Sequence, residues 1–198
     1  MDTEKIIGLL KELRAMSPMP EDEVLIAMGG GAGDTIDQFV LRYDEIIRIL
    51  YDLPVHELTK EMQQQIVRTL LDSLSVGGTF EIVEGVQNAI YRYPDAIFYE
   101  IVEDRIWHGR DGTRMWSVVL LACKGRITDL PVFLQMMHDP CEDVQEWSLE
   151  AIEWLAEKQK LEAIIPDITQ LCEKTSSDRV KKACKRVLQV IQTNGKGE

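Results

Sequence analysis

An all-α chain whose C-terminal half is a stack of helix pairs is predicted by three observations. Apolar residues recur at helical spacing almost throughout, and no two-residue alternation of strand length interrupts them. A helix-pair pattern also repeats. Ile127-Thr128-Asp129-Leu130-Pro131, Asp139-Pro140, Val144, Ala151-Ile152 and Leu155 correspond to Ile164-Ile165-Pro166, Asp178, Val180, Ala183 and Val187-Leu188, with the prolines 35 residues apart and the valines 36. Upstream, Met115-Trp116-Ser117-Val118 aligns with Glu146-Trp147-Ser148-Leu149 at an offset of 31. A period of this size marks stacked units, none of which buries its apolar face alone.

Ile6, Ile7, Leu9, Leu10 and Leu13 mark a first helix that stops before Ser17-Pro18-Met19-Pro20, because proline disfavours helix in the residue before it. A short segment over 21–28 ends at a run of glycines. Asp34 is placed to cap a long helix with Phe39, Val40, Tyr43, Ile46, Ile47 and Leu50 on its stripe, halted by Pro54. Thr59 opens a helix through Leu74, and Val76-Gly77-Gly78 ends it. Thr79 is the cap for a helix to Tyr93, and Pro94 opens the next. The pairs that follow are predicted at 95–107 with 112–124, 127–138 with 141–157, and 161–175 with 178–192. Asp139-Pro140 is a turn, since aspartate accepts local backbone hydrogen bonds and proline cannot continue a helix. The expected organisation is an irregular helical N-terminal portion over 1–94 packed as a cap, HEAT-like helix-pair repeats over 95–193 and a fraying tail over 194–198.

Residues 95–192 resemble HEAT-type repeats of the short bacterial kind. Leu130-Pro131 matches the leucine-proline start of that family's first helix, Asp139-Pro140 its turn, and Val144 with Ala151 its second helix. Asp178-Arg179-Val180 and Ala183 match in the last repeat, where Thr175-Ser176-Ser177 replaces the turn proline. The arginine that follows the valine in that family is Gln145 in one repeat and Lys181 in the other. The resemblance implies a right-handed α–α superhelix whose second helices line a concave surface used chiefly to bind proteins.

Composition narrows the partner rather than the fold. The 198 residues include 34 acidic against 22 basic, a formal net charge of −12. That balance argues against broad contact with a phosphate backbone and favours basic partners. Cys123, Cys141, Cys172 and Cys184 show no CxxC spacing and sit mostly in apolar helical patterns, as reduced cysteines do; His56, His108 and His138 are too scattered for a zinc set. No metal or cofactor is expected. The acidic, amphipathic start lacks a signal-peptide pattern, and no apolar run approaches a membrane span, so the expectation is a cytoplasmic protein without membrane association.

Three constellations stand out. Glu142, Glu146, Glu150, Glu153 and Glu157 follow three- and four-residue steps that stack their carboxylates on one helix face. They are read either as a solvated face or as a docking strip for a basic partner; Trp154, beside Glu150 and Glu153, would add an aromatic surface suited to arginine-rich ligands. Arg179, Lys181, Lys182, Lys185 and Arg186 carry the opposite sign on the next helix and would offset part of that stripe.

The second constellation is the turn from Trp107 to Trp116, with Arg110, Asp111 and Arg114, the residue types favoured at binding hot spots. Its alternative reading is packing by the tryptophans and turn fixing by Arg110 and Asp111. The third, Gly29-Gly30-Gly31-Ala32-Gly33-Asp34, lacks the Gly-Lys-Ser/Thr of a phosphate loop and reads as an interhelical loop.

The expectation is therefore a non-enzymatic scaffold with no catalytic residues, docking a basic protein partner through Trp107, Arg110, Asp111, Arg114, Trp116, Glu146, Glu150, Glu153 and Trp154. An immunity protein that neutralises a toxin is the narrower form. The competing readings are a helical-repeat enzyme of DNA-glycosylase type and a structural adaptor of HEAT-like lyase type.

Overall fold

A computed structural model describes residues 2–16, 33–74 and 80–194, with backbone alone for 33–38 and 80–82. Expectations for 17–32, for the side chain of Asp34, for the stop at Val76-Gly77-Gly78, for the Thr79 cap and for the end of the tail lie outside those residues. The described residues are helical and contain no strand. Ten helices follow in order: α1 Thr3–Ala15, α2 Gly33–Tyr51, α3 Lys60–Asp72, α4 Phe80–Tyr91, α5 Asp95–His108, α6 Asp111–Lys124, α7 Leu130–Met136, α8 Glu142–Ala156, α9 Ile165–Lys174 and α10 Asp178–Asn194.

Contacts gather these helices into two compact units, Met1–Ser117 and Val118–Glu198, with the division falling inside α6. In the first unit α2 packs on α4, α3 on α5, and α1 on both α2 and α3. Its core holds Leu10, Leu13, Tyr43, Ile46, Ile66, Leu70 and Phe98, all almost wholly buried. The helix starts follow local chemistry. Asp2 accepts from the Glu4 N–H at 3.3 Å, and Thr59 Oγ1 from the Met62 N–H at 3.2 Å. Tyr43, from the middle of α2, donates its hydroxyl to Ser73 Oγ beyond the end of α3.

In the second unit α7 packs on α8, α9 on α10, and α8 on α10. The two pairs share a local construction. A single 3-10 turn, Ile127–Asp129 or Glu162–Ile164, leads into a short helix with proline in its first turn. Proline costs nothing there, because the first-turn N–H groups have no helical partner. The predicted helices 127–138 and 161–175 are thus each a 3-10 turn followed by a shorter α-helix, since the Leu-Pro and Ile-Pro steps fix where the α-helix begins.

Asp139 makes the expected turn: its Oδ1 accepts from the Cys141 N–H at 2.8 Å while its carbonyl accepts from Gln145 Nε2 at 2.6 Å. The aligned serines also behave alike. Ser117 and Ser148 are fully buried, and each donates its hydroxyl to the carbonyl four residues back, Thr113 at 2.7 Å and Val144 at 2.6 Å.

Candidate functional site

α8 buries Val144, Ser148, Leu149, Ala151, Ile152, Leu155 and Ala156, so its carboxylates are turned to the opposite side. Glu146, Glu150, Glu153 and Trp154 are half-buried, and Glu142 and Glu157 are exposed. The neighbouring face of α10 supplies cations. Arg179 Nη2 pairs with Asp143 Oδ1 at 2.9 Å and with Glu146, and Arg186 Nε with Glu153 Oε2 at 3.3 Å. Ser177 Oγ donates to Glu142 Oε2 at 2.8 Å. The hydrogen bond to Glu146, then that to Asp143, pushes the Arg179 pKa above its ordinary value.

Glu150 stands apart in this array. Among the described residues its carboxylate accepts no hydrogen bond and has no cation within the 4.0 Å of an ion pair. Burial raises its pKa, the Arg186 charge opposes that shift, and Glu153 and Glu146 add to it. The face therefore keeps a half-desolvated carboxylate between two matched pairs. Beside it Trp154 meets Trp147 edge to face at 6.4 Å.

Two open grooves flank the C-terminal end of α8. One, of ≈ 290 Å³, is lined by Trp154, Leu155, Cys123 and Lys158 among others; the second, of ≈ 460 Å³, lies along α10 with Glu153, Arg186 and Val190 in its lining. Glu157 borders both. The α10 residues of the second groove carry no signal of their own, being ordinary exposed or half-exposed positions of one helix. Only the pairing of α8 with α10 makes them a lining.

The other sequence-derived group lies in the first unit. Trp107 is 48% exposed. Arg110 donates from Nη2 to the Asp72 carbonyl at 2.5 Å, Arg114 pairs with Asp111 at 3.0 Å and donates to the Gly109 carbonyl at 3.0 Å, and Trp116 is half-buried. Arg110, Asp111 and Arg114 are thus engaged in holding the turn, and Trp107 is the member that presents a large apolar surface. The Trp107 to Trp116 turn and the α8 face belong to different units.

Among the described residues no group of three or more His, Cys, Asp or Glu side chains is placed to hold a metal ion, and no helix is long and apolar enough to cross a membrane. The four cysteines are unpaired in disulfides, and burial, followed by the neighbouring Cys172, pushes the Cys184 thiol up to about 12. A thiol so shifted is a poor nucleophile near neutral pH. No protein-family model, curated protein or solved structure matches this chain.

Proposed function

We propose that the chain is a non-enzymatic, cytoplasmic, HEAT-like scaffold that docks a basic protein partner on the α8 face. The observation that carries this reading is Glu150, a half-desolvated carboxylate with no ion pair among the described residues, on a face where the carboxylates on either side are matched by Arg179 and Arg186. A cation from a partner would complete the row and gain most where water is already partly excluded. Trp154 adds an aromatic surface on which an arginine can lie.

An immunity protein that shields the basic surface of a toxin is the narrower form of the same proposal. Acidic helices would stand in for phosphates and speed encounter. The grooves give the glycosylase reading no support, since the one with an aromatic wall sets a single Lys158 against Glu157 rather than building a basic channel.

The test is affinity capture at low salt with wild-type protein and with Glu150→Lys, which reverses the charge without removing an existing ion pair. A basic protein retained by the wild type, released at roughly 0.5 M salt by screening and lost with the variant is the expected result. Equal retention by both proteins would remove the α8 face from the proposal.

A further inference from the structure

The helices that carry the acidic face also end close together. Asn194, the last residue of α10, donates Nδ2 at 2.8 Å to the carbonyl of Ala156, the last residue of α8. Neither helix has a basic residue in its last turn. Each C-terminus carries the negative end of a helix dipole, equivalent to roughly half an elementary charge.

Lys158, just beyond α8, is directed elsewhere. Its Nζ lies 3.7 Å from where a Cβ on Gly125 would stand, by the C-terminus of α6. Along α8 and α10, where these ends meet, runs the open groove of ≈ 460 Å³. Its lining includes Glu153, already paired with Arg186, and Glu157, which is exposed and has no ion pair among the described residues. Val190 gives the groove an apolar surface, with Gln189 and Thr193 beside it.

Two dipole ends and one unmatched carboxylate make a negative field that is diffuse rather than forked. Such a field favours a compact point charge on an apolar stem over a planar guanidinium, which gains most from two-pronged carboxylate pairing. We propose that this groove takes one lysine side chain of a basic protein partner, its methylenes against Val190 and its ammonium between Glu157 and the ends of α8 and α10. The assignment rests on the acidic-face reading above and gives that surface its anchor point. Arg186, the one cation in the lining, is matched by Glu153, and an anion would meet repulsion from Glu157 and from both helix ends.

The probe is a fluorescein-labelled octalysine peptide titrated with the full chain and read by anisotropy, with octaarginine and ε-acetylated octalysine as competitors. Wild type is expected to bind octalysine, with octaarginine competing less well and the acetylated peptide not at all. Val190→Trp, which fills the groove, should weaken binding by at least ~10-fold. Glu157→Gln, at an exposed residue where folding is not at risk, should weaken it by about fivefold. Wild-type affinity in both groove variants, with loss confined to Glu150→Lys, overturns the groove and leaves the acidic face standing. Absence of binding by the wild type, or indifference to Glu150→Lys as well, overturns both. Octaarginine competing as well as octalysine overturns the choice of lysine.

Discussion

The two units spend their polar side chains differently. In Met1–Ser117 some polar partners tie helices together, Tyr43 to Ser73, Arg14 Nη2 to Thr69 Oγ1 at 3.0 Å and Arg105 Nη2 to Asp72 Oδ2 at 2.9 Å, while Arg42 with Glu12 and Lys60 with Glu100 pair on the surface. The Arg105 side chain is only 19% exposed, and its charge is matched by Asp72 and by Asp104. In Val118–Glu198 the ion pairs between α8 and α10 lie on one outer face, and Arg179 and Arg186 are about half exposed. Inward pairs are expensive to break because a buried charge is left behind, whereas outward pairs exchange with water at little cost. What sets the second unit apart is that its outward pairs, Arg179 with Glu146 and Arg186 with Glu153, share one face with a carboxylate, Glu150, that has no ion pair among the described residues.

Glycine provides the sharpest way to break this comparison. A Cβ at Gly109 would stand 2.5 Å from the Arg105 carbonyl and 2.9 Å from Thr113 Cγ2, with backbone on one side. The position needs space rather than an unusual φ, for its φ is −76°. Gly125, in the second unit, is the reverse: its φ is +63°, yet a Cβ would meet nothing nearer than 3.7 Å. Gly109→Ala should cost ~3 kcal/mol, the upper end for overpacking, and Gly125→Ala ~1 kcal/mol, the left-handed penalty alone. Urea denaturation followed by helical circular dichroism measures both. Equal costs would mean that the α5–α6 turn relaxes freely and that the first unit is softer than its packing implies.

A smaller effect separates the inward from the outward ion pairs. Asp72→Ala leaves Arg105 with Asp104 as its remaining ion-pair partner and should lower stability by ~1–2 kcal/mol. Arg179→Ala, at the exposed end of the α8–α10 pairs, should lower it by less than ~1 kcal/mol. If Arg179→Ala proved the costlier change, the outer pairs would be structural and the second unit would lose its claim to a surface free for binding.

The difference between the units also explains what was legible in the sequence. Helices from 95 to 192 could be read where a boundary rests on a local signal, as with Pro94 before α5, the Leu-Pro and Ile-Pro steps that start α7 and α9, and the Asp139 turn; of the predicted pairings, α7 with α8 and α9 with α10 pack together. The acidic stripe followed from spacing alone. Which carboxylates would be matched did not, because that depends on the register between α8 and α10, a tertiary fact. The same holds for Arg110, whose partner is the carbonyl of a residue 38 positions away. In the Trp107 to Trp116 turn, residue types suited to binding are also those suited to fixing a turn, and composition does not separate the two uses.

The smallest effect has the most to say about function. Burial, opposed by Arg186 and reinforced by Glu153 and Glu146, holds the Glu150 carboxyl above its ordinary 4.5. The folded chain thus keeps its proton at pH values where the unfolded chain has released it. Stability contributed by this group declines as pH rises from about 4.5 through the folded pKa, and the full penalty is present at neutral pH. Glu150→Gln should therefore be no less stable than wild type near pH 7, and the difference should close as pH falls toward 4.5. Thermal melts across that range measure it. A carboxylate retained at a cost to folding is what a binding surface requires and what a solvated helix face does not. Were Glu150→Gln less stable at neutral pH, Glu150 would be held by Arg186 as a structural partner, and the two units would no longer differ in how they use their charges.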